Sequence, residues 1–473
     1  GLPLAIELAA ARIKALPPAT LLQRLEQRLP LLSGGARDLP LRQQTMRDTI
    51  GWSYDLLDEA ERTLFRRLGV FVGGFTLDAA EEIAAGPADA PTDVLDGITA
   101  LIEHSLLRQD TGPAGEPRYR MLETLREYAR DRLDTSDERD LIHRRHATWF
   151  LALAETDGPR LTGALQPAWL ERLDRERDNL LAALHWALDQ GDIDTATRLG
   201  AALWRFWERR NELIEGRALL DAILALPSDP TLVAARSSAL TGAGVLAALQ
   251  ADYSQAARHS EEALAGWRQI GDQRGVARTL LCLATVARYR DNYAEAEALG
   301  QETLAAFRSI GDRWGVGHIL ANLGMVAWVQ GDHATGTTRY EEALTHLRDI
   351  EDEPGIFGVV LELGKGASEE GDLARATTLL EECLSLSETM GDGASRADTL
   401  TELGVVAQRQ GKLSRASELF TEAAALAQDN GDPRQLAWIT AHHGNVDVAS
   451  RDIGGGAARY AEALRLFRAM DNR

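Results

Sequence analysis

Cysteine is nearly absent from this 473-residue chain, which contains only Cys282 and Cys383. The two fall at different places of a repeated pattern, so they predict buried thiols rather than a disulfide or a metal site. Apolar runs of membrane-spanning length are also missing, and the N-terminus has no basic segment followed by an apolar stretch. These absences predict a cytoplasmic protein with no membrane partner and no bound metal.

Lysine is rare as well, and Lys14, Lys365 and Lys412 are its only occurrences. A nucleotide-binding P-loop needs the pattern G-x-x-x-x-G-K-[ST], whose backbone amides and lysine cradle the phosphates. The three lysines are followed by alanine, glycine and leucine, so none of them completes that pattern. The sequence therefore predicts a chain that is not an enzyme and holds no cofactor of its own.

The charge balance is strongly acidic. Against 51 lysine and arginine residues stand 72 aspartate and glutamate residues, which gives a formal net charge of −21. A surface of that sign repels the phosphate backbone of nucleic acids, so broad nucleic-acid binding by this chain is not expected. A chain of this length has room for about two to four domains.

What the chain has in abundance is internal repetition. From residue 233 to residue 473 it repeats one helix–turn–helix pattern every 40 residues, six times in all. Such a repeat indicates an α-solenoid, in which each copy buries the apolar face of its neighbour. Three columns of the repeat are the turn pairs Gly271-Asp272, Gly311-Asp312, Glu351-Asp352, Gly391-Asp392 and Gly431-Asp432, the small residues Gly244, Ala284, Gly324, Gly364, Gly404 and Gly444, and the residues Leu264, Leu304, Leu344, Leu384, Ala424 and Leu464.

The first 135 residues are organised differently. Two strand patterns, 105–109 and 118–121, surround a turn-rich tip. Helices followed by a β-hairpin are typical of a winged helix, which we assign to residues 37–135. The helical patterns of this part cover 4–15, 20–28, 45–57, 59–69, 77–84, 94–104 and 123–133.

Residues 136–232 are helical in pattern and are interpreted as linker helices and diverged helical hairpins. Trp204, Phe206 and Trp207 supply the apolar stripe that an amphipathic helix buries in a core. The predicted fold class is mostly α: a helical bundle, a winged helix with a small β-hairpin, and an α-solenoid of helical hairpins. The linker helices are expected over 137–155, 180–190, 196–209 and 214–224.

Several motifs carry a resemblance to a known family. The stretch Gly1-Leu2-Pro3-Leu4-Ala5 is similar to the GLPLA motif of NB-ARC-type ATPases, the signal-transduction STAND class. The stretches Trp52–Leu57, Phe71–Phe75, Ser105–Leu107 and Arg118–Ala129 resemble the winged helix of bacterial AfsR-like and LuxR-type members. The resemblance covers residues 1–230, and the repeats agree with the domain order of that family.

The resemblance implies positions that face a nucleotide in the intact protein. Pro3 inherits the position of the GLPLA proline, which lies against adenine, and residues 1–36 become the end of the nucleotide domain's helical bundle. The family's Met-His-Asp motif, whose histidine contacts the nucleotide phosphate, aligns here with Met121, Leu122 and Glu123. Leucine cannot donate a hydrogen bond, so we expect Leu122 to pack the strand–helix junction instead. ATP and ADP are thus implied for the intact protein only.

The repeats resemble tetratricopeptide repeats, in which the first helix of each copy lines the concave face. Counted by that pattern, the exposed positions differ from copy to copy, while the packing positions do not. The variation is explained equally well by a groove shaped for a ligand and by solvated positions that drift; Tyr289, Met325 and Trp328 favour the groove. The candidate groove residues are Arg278, Thr285, Arg288, Tyr289, His318, Met325, Trp328, Lys365, Gln408, Arg409, Trp438 and Asn445.

The resemblance also implies a mechanism. In the intact protein, the winged helix and the bundle hold ADP against an N-terminal ATPase domain of the same polypeptide. An inducer, either a small molecule or a protein, binds the repeat groove, favours the open form and drives ATP exchange and oligomerisation. Such a ligand must bind the two forms with different affinity. Control of transcription then passes through a DNA-binding domain outside this chain.

Two other functions stay open at this point. The repeats could form a constitutive scaffold that docks a protein without switching, which predicts partner binding independent of nucleotide. Alternatively, the winged helix itself could read DNA. Against DNA reading, the expected recognition element around residues 58–67 balances its arginines with Asp58, Glu59 and Glu61.

Overall fold

A computed structural model describes residues 46–85, 91–111, 115–158 and 166–471 of the protein. The bundle assigned to residues 1–36 and the helices expected over 4–15 and 20–28 lie outside these ranges. The chain forms two compact units, residues 1–243 and 244–473. The described residues are mostly helical with one small sheet, which confirms the predicted fold class.

The first unit begins with the winged helix. Asp58 caps α2 through the backbone N–H of Glu61, whose carboxylate accepts from the Asp58 N–H in return, and Thr76 caps α3 through the N–H of Ala79. These caps satisfy N–H groups that a helix leaves unpaired in its first turn. In chain order the elements are α1 Met46–Asp55, α2 Glu59–Leu68, β1 Phe75–Thr76, α3 Leu77–Ala84, α4 Pro91–Glu103, β2 Arg108–Thr111, β3 Pro117–Arg120 and α5 Glu123–Asp134.

The three strands form an antiparallel sheet in the order β1-β3-β2. Tyr119 of β3 lies opposite Gln109 on one side and Phe75 on the other. The predicted hairpin is confirmed, whereas β1 was not predicted. A strand of two residues is too short to show the alternating pattern from which strands are recognised.

The position of the recognition helix corrects the sequence interpretation. The helix that directly precedes the hairpin, and so occupies the recognition position of a winged helix, is α4 rather than the arginine-bearing α2. The sequence of α4, PTDVLDGITALIE, contains no lysine or arginine. On α2, Arg66 and Arg67 both donate to Glu138, and Arg62 donates to the backbone carbonyls of Tyr54 and Asp55.

The rest of the first unit is helical. Trp204, Phe206 and Trp207 are buried, as predicted for a core stripe. The four expected linker helices are present, and α7 was not predicted. These helices are α6 Arg139–Asp157, α7 Gln166–Arg175, α8 Arg177–Gln190, α9 Ile193–Arg209 and α10 Leu213–Leu224.

Six helix pairs follow with the predicted 40-residue period, beginning with α11, which extends across the boundary of the two units. We call the first helix of each pair helix A and the second helix B. The A helices are α11 Val233–Leu249, α13 Gln273–Tyr289, α15 Arg313–Val329, α17 Glu353–Glu370, α19 Gly393–Arg409 and α21 Pro433–Ala449. The B helices are α12 Tyr253–Ile270, α14 Tyr293–Ser309, α16 His333–Arg348, α18 Leu373–Met390, α20 Leu413–Asp429 and α22 Ile453–Asp471.

The Gly-Asp column forms the turns between copies. Gly311 has a φ of 67°, in the left-handed region where glycine has no side chain to strain, and Asp312 then caps α15 through the N–H of Gly315. In the one copy that reads Glu351-Asp352, Glu351 takes that conformation with a φ of 54°. Asp352 does not cap α17 through its side chain, and its carboxylate is hydrogen-bonded to His318 instead.

The small-residue column brings helix A and helix B of one copy into close contact. A Cβ atom on Gly324 would lie 2.9 Å from two ring atoms of Tyr340, and one on Gly404 would lie 2.7 Å from the ring of Phe420. Both distances are shorter than ordinary van der Waals contact. Glycine at this column therefore lets an aromatic ring of helix B lie directly on the backbone of helix A.

One helix of the described residues is long and apolar enough to cross a membrane by length and composition, Pro230–Leu249. This corrects the expectation that no such run exists. The apolar window is 56% buried within the protein, and Gly244 of α11 packs on Ser260 of α12. Burial of this kind is what the core helix of a helical array requires.

Candidate ligand groove in the repeats

Helices α13, α15 and α17 form a groove in the second unit, with a volume of about 320 Å³. Its residues recur at spacings of three and four, so they share one face of each helix. Four predicted groove residues lie in it: Thr285, Arg288, His318 and Met325. Its other lining residues are Leu281, Ala321, Asn322, Tyr340, Leu347, Pro354, Gly355, Gly358, Val359 and Glu362.

Asn322 lies in the middle of the groove. Its side-chain Nδ2 donates a hydrogen bond to the Thr285 hydroxyl at 3.0 Å, while its Oδ1 is buried and has no hydrogen-bond partner among the described residues. The Nε of Arg288 is also buried and has no hydrogen-bond partner within the ranges that the structure describes. The guanidinium carbon of Arg288 lies 4.1 Å from the ring centroid of Tyr289, which orients the side chain.

Tyr340 reaches the groove from helix α16. Only 2% of its surface is exposed, and its hydroxyl has no hydrogen-bond partner within the described residues. Burial and the nearby Glu362 carboxylate raise the pKa of Tyr340, and Arg288 opposes that change. The hydroxyl is therefore neutral and lies within electrostatic range of two groove residues of opposite charge.

His318 lies beside a charged and an aromatic side chain. Its Nε2 lies 2.9 Å from Asp352 Oδ2, and its ring centroid lies 4.3 Å from that of Trp314. The guanidinium of Arg278 lies 5.6 Å from the Trp314 ring centroid. Arg278 thus contacts a neighbour of the groove residue His318 rather than lining the groove itself.

Beyond Glu362 the same surface becomes acidic. Lys365 Nζ lies 3.0 Å from Glu362 Oε1. Burial lowers the pKa of Lys365, but the carboxylates of Glu362, Glu402 and Asp398 together outweigh burial and raise it. Burial raises the pKa of Glu402, and Lys365 opposes that change. Lys365 thus has three carboxylates nearby, so the surface changes from cationic at Arg288 to anionic around Glu362.

The structure places two predicted aromatic residues outside the groove. Tyr289 is 51% exposed and stacks on Tyr253, with ring centroids 5.4 Å apart. Trp328 stacks on His333, and a Cβ on Gly366 would lie 2.5 Å from its ring. Trp328 therefore packs between helices.

The remaining predicted residues lie in later copies. Arg409 donates to the Ser368 carbonyl at 2.6 Å, and Asn445 accepts a hydrogen bond from the Tyr460 hydroxyl at 2.5 Å. Trp438 is 57% exposed, and Gln408 is half-buried. None of these four residues lines the groove of α13, α15 and α17.

Among the polar residues of the groove, sequence reasoning missed three: Asn322, Tyr340 and Glu362. The signal for two of them was present, because the column Cys282, Asn322, Glu362, Glu402 and His442 changes chemistry from copy to copy as a ligand-facing column does. The ring of Tyr340 packs on the backbone of Gly324, as a core residue does. Its unpartnered hydroxyl could be found only from coordinates.

The positions that the resemblance connects with nucleotide lie at the strand–helix junction after β3. Met121 is buried and Leu122 is half-buried as the residue before α5, without a side-chain capping bond. Glu123 accepts from Arg126 at 2.5 Å. Pro3 lies outside the described residues.

Comparison with known proteins agrees with both parts of the fold. A family model described as a winged helix-turn-helix domain matches residues 57–134, and one described as a tetratricopeptide repeat matches residues 276–310. Proteins of Mycobacterium tuberculosis and Mycobacterium bovis that bear the name of an HTH-type transcriptional regulator are 37% identical over 303 residues. That match covers 61% of this chain and 33% of each relative, so the chain spans about a third of their length.

One of the solved structures compared is a Signal Transduction ATPase with Numerous Domains protein with a tetratricopeptide repeat sensor, from Pyrococcus horikoshii. It superposes with a TM-score of 0.49 and 16% sequence identity, over 99% of this chain and 73% of that chain. From the two family models, the mycobacterial relatives and the helix pairs described above, we conclude that this chain is a regulator-like protein with a winged helix-turn-helix domain and tetratricopeptide repeats.

Proposed function

We propose that this chain is the sensor part of a transcription regulator of the signal-transduction ATPase class, and that the groove of α13, α15 and α17 binds its inducer. The names of the mycobacterial relatives support the proposal that the intact protein controls transcription. Because the chain spans about a third of their length, we assign the ATPase domain and the DNA-binding domain to the rest of the intact protein, which we place in the cytoplasm.

The groove is the observation that carries this proposal. Residues that vary between copies, such as Thr285, His318 and Met325, converge on one concave surface instead of dispersing into solvent. Buried polar atoms without a partner among the described residues lie in the same place. Packing alone gives no reason for this combination, because buried polar groups in proteins are nearly always hydrogen-bonded.

In the proposed mechanism, the winged helix holds the intact protein in its ADP-bound resting form. Pro3 and the junction of Met121, Leu122 and Glu123 face the nucleotide. Leu122 contributes packing at that junction, since it has no group that can bind a phosphate. Inducer binding favours the open form by the difference between its affinities for the two forms. ATP exchange and oligomerisation follow.

A reporter assay with the intact regulator tests the proposal. Glu362→Gln removes a charge at nearly constant side-chain size, and Arg288→Gln replaces the guanidinium with a shorter neutral amide. The matched control is Arg268→Gln, because Arg268 is exposed on helix B and pairs with Glu302. We expect the two groove variants to lose induction and the control to keep it. A groove variant that no longer binds ligand yet induces normally would contradict the proposal.

The scaffold alternative is tested by partner capture on the intact protein. A constitutive scaffold docks its partner equally well in the ADP-bound and ATP-bound forms of the intact protein. Equal partner capture with either nucleotide therefore favours the scaffold over the switch. DNA reading by the winged helix has less support, because α4 carries no basic residue and Arg66 and Arg67 are bound to Glu138. If this chain bound a DNA duplex with an affinity that falls steeply as salt rises, that result would favour DNA reading by the winged helix.

A further inference from the structure

We propose that a cavity in the first unit, between the winged helix and the linker helices, binds a small organic carboxylate. The cavity has a volume of about 220 Å³ and is lined by the segment after α2 and by the helices α5, α6 and α8. It shares no residue with the groove of the repeats. The proposal is therefore independent of the inducer groove and adds a second ligand to the chain.

Two aromatic nitrogens of the cavity lining are buried and have no hydrogen-bond partner within the described ranges: Nε2 of His143 on α6 and Nε1 of Trp186 on α8. The two rings are nearly parallel, with centroids 6.3 Å apart. His143 Nε2 lies 3.8 Å from Asp134 Oδ1, which is beyond hydrogen-bond distance. The indole N–H is only a donor, so it requires an acceptor atom that the described residues do not supply.

Two arginines beside these nitrogens are accessible donors. Arg130 on α5 and Arg139 on α6 line the cavity, and their side chains are 57% and 45% exposed. They contact the same carboxylate, Asp134, at 3.6 Å and 3.2 Å. Arg139 also lies 3.5 Å from Asp140, which is 72% exposed and does not line the cavity. Two guanidiniums with five N–H groups each thus share one lining carboxylate, which leaves donors for a ligand.

His143 is affected by the same excess of positive charge. Burial lowers its pKa most, Asp134 raises it, and Arg139 and Arg130 lower it further. The net change is a decrease from 6.5, so the ring is neutral above that pH. The neutral imidazole adds no charge of its own, and the cationic groups that act on it outnumber the carboxylates.

The other charged residues of the lining do not change this balance. Arg126 is paired with Glu123 at 2.5 Å, so its charge is already compensated. Asp189 is exposed in the last turn of α8, where solvent and salt screen its charge. Near His143 and Trp186, positive charge therefore exceeds negative charge by one unit.

This charge excess, the free donors and an apolar wall define the ligand class. A carboxylate has one negative charge and two acceptor oxygens, which a guanidinium binds in a bidentate arrangement. A phosphate dianion would leave negative charge uncompensated beside Asp134, and a cation would be repelled by the arginines. Val70, Val72 and Ala182 line the cavity, so the carbon part of the ligand meets apolar groups. The volume is below the range of drug-sized sites, which limits the ligand to a few carbon atoms.

A ligand in this cavity connects two parts of the first unit. It contacts Arg130 of the winged helix on one side, and His143 and Trp186 of the linker helices on the other. Because these surfaces form the cavity only when they are packed together, the ligand binds the folded unit and not the unfolded chain. Binding therefore stabilises the observed position of the winged helix on the linker helices.

A ligand-detected NMR titration of the 473-residue chain tests the proposal. The probes are the sodium salts of acetate, pyruvate, butyrate and benzoate, compared with inorganic phosphate at an ionic strength matched with chloride. The variants are Arg139→Gln, which removes a charge, and Trp186→Phe, which removes the indole N–H and keeps an aromatic ring. The control is Arg144→Gln, because Arg144 is exposed on the same helix as Arg139 and does not line the cavity. Thermal unfolding of each variant without ligand verifies that it folds.

We expect at least one carboxylate to bind the parent in a saturable way and to bind Arg139→Gln and Trp186→Phe about tenfold more weakly, because each variant loses a hydrogen bond to the anion. The control should bind like the parent. Saturable binding of phosphate but of no carboxylate would show that the ligand class is wrong. Equal binding by all variants, or no saturable binding of any probe, would overturn the site itself. None of these outcomes bears on the inducer groove, which the reporter assay tests separately.

Discussion

The side-chain oxygen of Asn179 accepts a hydrogen bond from the backbone N–H of Val72 at 2.7 Å, although 107 residues separate the two in the chain. The side-chain nitrogen of Asn179 donates to the Gly74 carbonyl at 2.9 Å and to Glu176 at 3.0 Å. One buried amide on α8 thus fixes the Phe71–Phe75 segment that leads into β1, and it joins the winged helix to the linker helices.

We expect Asn179→Ala to destabilise the first unit by about 1–3 kcal/mol, because the part-buried N–H of Val72 loses its acceptor and the Gly74 carbonyl keeps only its hydrogen bond from Arg118. Urea unfolding measures the loss. Gln190→Ala is the control, since Gln190 is exposed at the end of the same helix. Equal stability of the two variants would show that water replaces the amide at no cost.

His146 should make the first unit sensitive to acid. It is buried between Phe71 and Phe150, and burial lowers its pKa from 6.5 to about 3. Between these two values the unfolded chain binds a proton that the folded chain does not, so stability falls as the pH falls. The loss contributed by His146 between pH 7.5 and pH 5 is about 2 kcal/mol.

His146→Leu cannot titrate, so its stability should change less between pH 7.5 and pH 5 than that of the parent, by about the same 2 kcal/mol. Urea unfolding at the two pH values measures both chains. The comparison must be made as a difference, because burial also lowers the pKa of His143, His442 and His443. An identical pH dependence in parent and variant would refute a role for His146.

Two glycine substitutions should have opposite effects on the repeats. Gly324→Ala places a methyl group 2.9 Å from the Tyr340 ring, and overpacking of this kind costs about 1–3 kcal/mol. Gly358→Ala is the matched control: Gly358 also lies within an A helix, and a Cβ there would meet nothing within 4 Å. Alanine should stabilise that position by about 0.5–1 kcal/mol. Thermal unfolding of both variants tests the pair.

Tyr340→Phe should separate stability from binding. Removing a buried hydroxyl without a partner ends its desolvation cost, so the free protein should be as stable as the parent or more stable by about 1 kcal/mol. The same variant should bind ligand more weakly. Urea unfolding without ligand measures the first effect. A clear loss of stability would mean that the hydroxyl already has a partner, such as a bound water.

The repeats and their helix boundaries were predictable from sequence because packing is periodic. The predicted period of 40 residues recurs in the six observed helix pairs. In four of the five turns of the Gly-Asp column, the glycine takes the left-handed conformation and the aspartate caps the next helix. By contrast, the recognition element was placed around residues 58–67, although the helix expected over 94–104 directly precedes the predicted hairpin and corresponds to α4.

The groove was predictable only in part. Helical periodicity placed Thr285, Arg288, His318 and Met325 on the correct face. It could not show that Trp328 packs on Gly366, because the direction of a long side chain depends on its contacts with the next copy. Nor could it separate the Tyr340 ring, which packs, from the Tyr340 hydroxyl, which has no partner.

The uniform turns between copies have a consequence for how such a chain can evolve. Each of the five copies after the first is entered through a left-handed residue followed by an aspartate, and it packs mainly on the copies beside it. A genetic duplication or deletion of 40 residues between two such turns keeps every cap and every interface type intact. The number of copies can therefore change in one recombination event, and a new copy can diverge at its concave columns while its packing columns stay as inherited.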